Sequence, residues 1–272
     1  RRAFAAYAAS RAKSSIARAW STWNAFFGFL VAEGVVDGNP MSGVSRPRAA
    51  EHAPKPLRGE DSPERLLAAV AAGARKARDP WPQRDLSVLA LLLLTGVRSS
   101  ELLRLSVGDL SGPVGERRLT VRGGKGDRDR TVPVEAPLEA LLQEYLASRS
   151  RRFPAARQPL APDSALFVDS RGEALTRNQL QYLVRQCYRF AGVDDQVERG
   201  TLVHALRHTF ATRLGQSGAS AVEVMELLGH RSLNASQGYI KASARELRDA
   251  ARSNSVYGSL DRLSRPQDPD GD

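Results

Sequence analysis

Apolar residues recur every three or four positions between Ile16 and Val31, as they do on one face of a helix. This spacing predicts an amphipathic helix, which Gly34 and then Gly38-Asn39-Pro40 would end. The tryptophans and phenylalanines on the apolar face fit packing in a core better than stacking on bases. We therefore expect a helical unit at the start of the chain.

A segment without apolar periodicity follows, and it contains Pro47, Pro54 and Pro56 among mixed charges. Such a segment is typical of a linker. The sequence therefore predicts a first unit over residues 1–46, a linker over 47–57, a larger unit over 58–264 and a disordered polar tail over 265–272.

The larger unit shows mostly helical patterns. Ser220 and Glu223 form a capping box at the start of a helix that Gly229 would end. Further helices are predicted over Ser62–Lys76, Asp85–Leu94, Ser100–Leu105, Leu138–Leu146, Thr176–Phe190, Val203–Gln216 and Arg245–Arg252.

One clear β pattern interrupts the helices. Apolar residues alternate in Leu119–Val121 and again in Val132–Val134, on either side of a glycine-rich turn, which predicts a hairpin. A loop is predicted over Ser148–Asp163 and a short strand at Phe167-Val168. The expected fold class is mainly α with a small antiparallel β-sheet.

The net charge indicates the kind of partner. The chain has 272 residues, of which 40 are lysine or arginine and 30 are acidic, so the net charge is +10. A strongly basic protein most often binds a polyanion such as nucleic acid. Only five of the basic residues are lysines. GC-rich codon usage and bidentate binding of phosphate by guanidinium groups explain this arginine excess equally well.

Several classes of protein are excluded. The single cysteine, Cys187, excludes an internal disulfide and any site of several cysteines. The longest apolar run, Val88–Leu94, is far shorter than the ~20 residues of a membrane span. Since no secretory leader opens the chain, we expect a cytoplasmic protein with no membrane partner. Because the first residue is Arg1 and not Met, we expect part of the N-terminus to be missing.

Motifs of other chemistries are absent from the sequence. Gly124-Lys125-Gly126 lacks the spacing of a phosphate loop, and no GxSxG nucleophile elbow occurs. His204 and His208 have the spacing of a zinc-binding helix, but no glutamate follows the first histidine. We therefore expect no metal site and no cofactor.

What remains is a set of polar side chains at the ends of predicted elements, namely Arg98, Lys125, His204, Arg207, His230 and Tyr239. Each has an ordinary structural explanation when taken alone. Together they suit phosphoryl transfer without a metal. Arginine and histidine can stabilise the transition-state charge, lysine can protonate the leaving oxygen, and tyrosine can form a covalent phosphoester.

Four segments resemble the tyrosine recombinase, or phage integrase, family of Xer-like site-specific recombinases. They are RDLSVLALLLLTGVRSSELLRLSVGD at 84–109, VRGGKGDRDRTVPV at 121–134, HALRHTFATRL at 204–214 and LLGHRSLNASQGYI at 227–240. They occur in the family's order and at its spacings. The resemblance covers about Ser62 to Leu247 and, more weakly, Ser15 to Arg48. It implies that residues 1–46 are part of a helical core-binding domain that clamps DNA.

The resemblance also implies a reaction, in which DNA strands are cleaved and rejoined through a 3′-phosphotyrosyl intermediate without metal or ATP. Arg98 and Arg207 would clamp the scissile phosphate. Lys125 would act as the general acid for the 5′-hydroxyl leaving group, and Tyr239 would be the nucleophile.

Three further positions match the family. His204 would act as a general base or a phosphate ligand, His230 would donate a hydrogen bond to the phosphate, and Glu101 would orient side chains of the site. The implied partner is a double-stranded DNA recombination site, bound by a homo- or hetero-tetramer on two duplexes at the nucleoid. Two alternatives stay open: a type IB topoisomerase-like nicking and closing enzyme, and a non-catalytic DNA-binding relative.

Overall fold

A computed structural model describes residues 2–47, 54–73, 75, 77–123, 129–154 and 160–229. The chain divides into two compact units, Arg1–Ala53 and Pro54–Asp272. The predicted limits of the linker and of the tail stay predictions. The predicted helix Arg245–Arg252 lies outside the described residues.

The first unit contains two helices, α1 (Arg2–Ala8) and α2 (Lys13–Ala32). The Trp23 ring packs edge-on against Phe4 with centroids 5.4 Å apart, and the Trp20 indole donates a hydrogen bond to the Val44 carbonyl oxygen at 2.7 Å. The two tryptophans of the predicted apolar face thus pack within this unit. The short α1 carries no periodic pattern long enough to predict.

The second unit contains seven α-helices and a small sheet among its described residues. The helices are α3 (Ser62–Ala72), α4 (Pro82–Thr95), α5 (Ser99–Leu102), α6 (Ala136–Arg152), α7 (Arg177–Phe190), α8 (Leu202–Gln216) and α9 (Ala221–Leu228), and two 3₁₀ turns cover Val107–Asp109 and Asp194–Gln196. The strands are β1 (Leu110–Ser111), β2 (Arg118–Val121) and β3 (Arg130–Pro133), antiparallel and in chain order. The predicted fold class is therefore confirmed.

The predicted hairpin is present and is formed by β2 and β3. Arg118 pairs with Pro133 at one end, and Val121 pairs with Arg130 at the other. Leu119, Val121 and Val132 are buried, as the alternation predicts. The tip of the hairpin, residues 124–128, lies outside the described residues.

Helix α4 forms the centre of the second unit. Its residues from Val88 to Leu93 are all buried, and it contacts α3, α6, α7 and α8. A helix enclosed on most sides needs no wide polar face, which explains its apolar run; Leu94, at the end of the run, is 49% exposed. Its enclosure also fixes the position of its C-terminal end, from which the candidate site is built. No helix in the described part of the chain is long and apolar enough to span a membrane.

The structure corrects the predicted loop over Ser148–Asp163, because α6 continues to Arg152. Tertiary contacts hold this polar last turn. Ser148 accepts a hydrogen bond from the Trp81 indole at 2.9 Å, and Arg149 donates to the Ala165 carbonyl oxygen at 2.6 Å. Neither contact leaves a pattern of apolar spacing in the sequence.

Three other boundaries differ from the predictions. Helix α3 ends at Ala72 and not at Lys76, because Gly73 adopts an extended backbone there. Helix α5 ends at Leu102 and not at Leu105. At Phe167-Val168 there is no regular strand, only a single antiparallel bridge from Val168 to Ala174.

Candidate active site

Arg98 lies at the turn between α4 and α5. Gly96 ends α4 with a left-handed φ of +61°, and Arg98 then caps α5. The Arg98 backbone N–H donates to Oε2 of Glu101 at 2.7 Å, while its Nη1 donates to Oε1 at 2.6 Å. Backbone and side chain of Arg98 are therefore both fixed by one carboxylate. The Arg98 side chain stays 30% exposed, so it can meet a ligand.

Arg207 reaches the same place from α8. Its side chain is 8% exposed, and its Nη1 lies 4.0 Å from Oε2 of Glu101. The guanidinium donates to the carbonyl oxygen of Gly96 and, at 2.7 Å, to that of Leu228. Two arginines more than a hundred positions apart in sequence thus meet around one carboxylate.

Glu101 is the hub of this cluster and is only 3% exposed. Burial alone would raise the pKa of its carboxyl group, but hydrogen bonds from Arg130 and Arg98 lower the pKa to about 2. The carboxylate is therefore ionised throughout the neutral range. An ionised and fully bonded Glu101 can orient cationic side chains without taking part in proton transfer.

Arg130, on β3, is the third arginine of the cluster and was missed in the sequence analysis. Its Nη1 and Nη2 donate to the two oxygens of Glu101 at 3.0 and 2.7 Å, and its Nε donates to the Leu227 carbonyl oxygen at 2.9 Å. The sequence offered one signal for this residue, which is that a cation lies next to the turn of the hairpin, where β3 begins. Nothing in the sequence showed that it faces Glu101.

The C-terminal end of α9 completes the cluster. The carbonyl oxygens of its last two residues and of the Gly229 that ends it accept from three different arginines: Leu227 from Arg130, Leu228 from Arg207 and, at 3.3 Å, Gly229 from Arg98. The last carbonyls of a helix have no partner within the helix and carry partial negative charge. The arginines satisfy them, so the end of α9 is bound to the cluster at three points.

His204 lies on the same face of α8 as Arg207, one turn earlier. Partial burial, followed by the nearby charges of Arg207, Arg177 and Arg98, lowers the pKa of His204 from its usual 6.5. The imidazole is therefore neutral at pH 7 and has a lone pair that can accept a proton.

The structure brings together four of the predicted site residues, namely Arg98, Glu101, His204 and Arg207. The other three, Lys125, His230 and Tyr239, lie outside the described residues. Within the described ranges, no group of histidine, cysteine, aspartate and glutamate side chains could hold a metal ion.

The sequence pattern of the phage integrase family matches residues 59–246, which is more than half of the chain. The chain belongs to the phage integrase family. Tyrosine recombinase XerC of Pelotomaculum thermopropionicum is 32% identical over 241 residues, covering 89% of this chain and 74% of that protein. Tyrosine recombinase XerC of Mycobacterium tuberculosis is 35% identical over 240 residues, covering 88% and 76%.

A solved structure agrees with this membership. The XerH site-specific recombinase, bound to difH substrate in a pre-cleavage complex, superposes with a TM-score of 0.64 at 26% identity, over 92% of this chain and 67% of that one. Membership of the phage integrase family, predicted from four sequence segments, is thus confirmed. The roles of the individual side chains stay predictions.

Proposed function

We propose that the protein is a site-specific DNA recombinase that cuts and rejoins strands through a 3′-phosphotyrosyl intermediate. The observation that carries the proposal is the meeting of Arg98 and Arg207 around the buried Glu101. Relatives named tyrosine recombinases match most of the chain. The net charge of +10 suits a partner that is a phosphate polyanion.

The first chemical step joins the protein to DNA. The Tyr239 oxygen attacks the scissile phosphorus, the bond from phosphorus to the 5′-oxygen breaks, and its electron pair stays on that oxygen. Lys125 gives the 5′-oxygen a proton, while the phenolic proton passes to a base. Because one phosphoester replaces another, the bond energy is kept and no ATP is needed. The reverse reaction with the 5′-hydroxyl of a second strand completes the exchange.

Arg98 and Arg207 would stabilise the transition state of this step. Negative charge spreads over the non-bridging oxygens of the phosphorus, and planar guanidinium groups match that geometry. With Arg130 included, the cluster has three guanidinium groups and one carboxylate, so it keeps a net positive charge. Preorganisation supports the assignment, since Glu101 and the end of α9 already fix the guanidinium groups.

His204 has two possible roles in this scheme. As a neutral imidazole it can accept the phenolic proton of Tyr239, or it can bind a phosphate oxygen through an N–H group. The lowered pKa of His204 supports the first role, because a base must be unprotonated before it acts. His230 is assigned a hydrogen bond to the phosphate.

Strand exchange sets the size of the assembly. Recombination of two duplexes cuts four strands, and each protomer contains one Tyr239. We therefore propose a tetramer on two duplexes, built from four copies of this chain or from two kinds of recombinase. We further propose that the protein acts in the cytoplasm at the nucleoid, where its DNA substrate lies.

The test is covalent capture followed by strand exchange. The protein is incubated with sheared DNA of its own source and denatured, and the DNA attached to it is sequenced. Two duplexes carrying the captured sequence are then mixed with the protein. We expect recombinant products from the wild type and none from Tyr239→Phe, while Tyr182→Phe, a change at an exposed tyrosine, behaves as wild type.

Other results would contradict the proposal. Relaxation of supercoiled DNA without any exchanged product would indicate a topoisomerase. Salt-sensitive DNA binding that never yields a covalent adduct would indicate a non-catalytic protein.

A further inference from the structure

Arg130 is an arginine at the centre of the site to which the proposed reaction gives no role. It belongs to β3, and its Nη1 and Nη2 donate to the two oxygens of Glu101 at 3.0 and 2.7 Å. Its Nε donates to the Leu227 carbonyl oxygen of α9 at 2.9 Å, so both edges of the guanidinium are held. A bidentate arginine–carboxylate pair is a strong contact with a fixed geometry.

The carboxylate of Glu101 divides its acceptor positions between two arginines. Oε1 accepts from Nη1 of Arg98 and from Nη1 of Arg130, while Oε2 accepts from the Arg98 backbone N–H and from Nη2 of Arg130. Because a carboxylate offers about four lone-pair positions, these hydrogen bonds use them all. Arg130 fills half of them.

The three arginines of the cluster bind Glu101 to different extents. Arg130 gives the carboxylate two side-chain hydrogen bonds and Arg98 gives it one. Nη1 of Arg207 lies 4.0 Å from Oε2, which is beyond hydrogen-bond distance. Burial would raise the pKa of Glu101, and the hydrogen bonding of Arg130 does most to lower it. Arg130 is therefore the main counter-charge of this carboxylate.

Removal of Arg130 would leave the buried carboxylate with two unfilled acceptor positions. A buried charge without its partners is costly, so neighbouring donors shift to meet it. The nearest donors are the guanidinium groups of Arg98 and Arg207, which the proposed reaction assigns to the scissile phosphate. Glu101 would then compete with the phosphate for both.

We propose that Arg130 is a positioning residue that keeps Glu101 from competing with the scissile phosphate for Arg98 and Arg207. The proposal rests on the proposed function, in which these two arginines stabilise the charge on the non-bridging oxygens. Glu101 orients Arg98 without capturing it, because Arg130 balances the charge of the carboxylate. The effect of Arg130 on the reaction therefore passes through Glu101.

The experiment removes the two members of this ion pair singly and together. Arg130→Gln, Glu101→Gln and the double variant are compared with the wild type on a duplex oligonucleotide of the captured site. The rate of covalent adduct formation is measured at saturating DNA. The double variant shows whether the loss caused by Arg130→Gln needs the carboxylate, because it lacks both charges.

We expect Arg130→Gln to slow adduct formation by about 10²-fold, as when a transition-state donor no longer acts. Glu101→Gln alone should cost less, and adding it to Arg130→Gln should raise the rate at least about tenfold. The second substitution restores activity because Arg98 and Arg207 are no longer drawn to an unbalanced carboxylate. Loss of overall stability would give the opposite order, with the double variant slowest.

Three results would overturn this role. A double variant as slow as Arg130→Gln, or slower, would show that the carboxylate does not mediate the effect. The same fold-loss from Arg130→Gln in the presence and absence of Glu101 would indicate that Arg130 itself binds the phosphate. A Glu101→Gln variant slower than Arg130→Gln would mean that an unbalanced carboxylate is better than none.

A matched control comes from the other end of the hairpin. Arg117 precedes β2 and also pairs with a buried glutamate, its Nε lying 3.3 Å from Oε1 of Glu139 on α6. Arg117→Gln removes an ion pair of the same kind and should leave the rate unchanged.

Thermal unfolding shows whether each variant is folded. If Arg130→Gln is not, Arg130→Lys takes its place, because lysine keeps the charge but loses the bidentate geometry. Its loss of rate should be smaller than 10²-fold and should fall to within about threefold when Glu101→Gln is added. An undiminished loss would again overturn the role.

Failure of the proposed function is separable from failure of this inference. A wild-type protein that forms no adduct contradicts both. If the wild type reacts and Arg98→Ala and Arg207→Ala react equally fast, the phosphate clamp is wrong and the role of Arg130 falls with it. If both of those variants are slow and Glu101→Gln does not restore Arg130→Gln, the clamp stands and only the role of Arg130 is wrong.

Discussion

The guanidinium of Arg207 donates a hydrogen bond to the carbonyl oxygen of Gly96, across 111 positions of sequence. That carbonyl belongs to the residue that ends α4, and two positions later Arg98 begins α5. The same contact therefore satisfies a carbonyl at the end of a helix and sets the spacing of the two arginines. Both the hydrogen bond to this carbonyl and the spacing of the two arginines depend on the left-handed conformation of Gly96.

Gly96→Ala should destabilise the protein well beyond the cost of its backbone conformation. Gly96 has a φ of +61°, and an added Cβ would lie 2.3 Å from Cδ1 of Phe210. A left-handed residue with a Cβ costs roughly 1–2 kcal/mol, and overpacking adds about 1–3 kcal/mol. Denaturant unfolding measures the total.

Gly192→Ala is the control, because Gly192 has nearly the same φ of +63° but no atom within 4 Å of an added Cβ. Its free energy of unfolding should fall only by the conformational cost of a left-handed residue with a Cβ, roughly 1–2 kcal/mol. Equal losses for the two variants would show that the clash between the added Cβ and Phe210 does not destabilise the protein.

Glu101→Gln should lower the free energy of unfolding at pH 7 by about 3 kcal/mol. The change keeps the shape of the side chain but leaves Arg98 and Arg130 without their buried counter-charge. Urea unfolding of the two proteins measures the difference. Glu116→Gln, at an exposed glutamate, should stay within about 0.5 kcal/mol of the wild type.

The Glu101 ion pairs should also show in the pH dependence of stability. The pKa of Glu101 is about 2 in the folded protein and near 4.5 when unfolded. Its stabilising effect is therefore complete above about pH 4.5 and is lost as the pH falls from there toward 2. The gap in unfolding free energy between wild type and Glu101→Gln should narrow over that range. A constant gap would mean that Glu101 is not ionised in the fold.

Arg98→Ala and Arg207→Ala should each slow covalent adduct formation by about 10²-fold or more, as expected for the loss of a transition-state donor. The rate is measured at saturating DNA, so that weaker binding does not enter the result. Arg104→Ala, an exposed arginine just beyond α5, is the matched control and should react at the wild-type rate. Rates within tenfold of the wild type for the two cluster variants would contradict the phosphate clamp.

The acid limb of the pH profile should report on His204. If the imidazole accepts the phenolic proton, adduct formation stays constant down to a pH below 6.5 and then falls as His204 becomes protonated. His204→Gln would remove that acid limb and slow the plateau. A slower plateau with an unchanged acid limb would assign His204 to phosphate binding instead.

The sequence predicted those parts of the fold that depend on local pattern. The apolar run of α4, the capping box of α9 and the alternation of β2 and β3 are visible without tertiary information. The last turn of α6 could not be predicted, because contacts of Ser148 and Arg149 with distant residues hold it.

The same distinction applies to the candidate site. Arg98, His204 and Arg207 were identified as polar side chains at the ends of predicted elements, and Glu101 was identified because it matches an ordered family segment. Arg130 lies within another family segment, yet its role depends on where its side chain points. The contacts of three arginines with three consecutive carbonyls at the end of α9 could be found only in three dimensions, because backbone acceptors leave no mark on residue identity.

Mass spectrometry of the covalent adduct tests the central claim most directly. The protein is trapped on its captured DNA site, digested with protease and nuclease, and the peptide that retains a nucleotide is sequenced. The proposed function predicts a nucleotide 3′-phosphate on Tyr239 in the wild type and no modified peptide in Tyr239→Phe. A nucleotide on any other residue, or an adduct that persists in Tyr239→Phe, would contradict it.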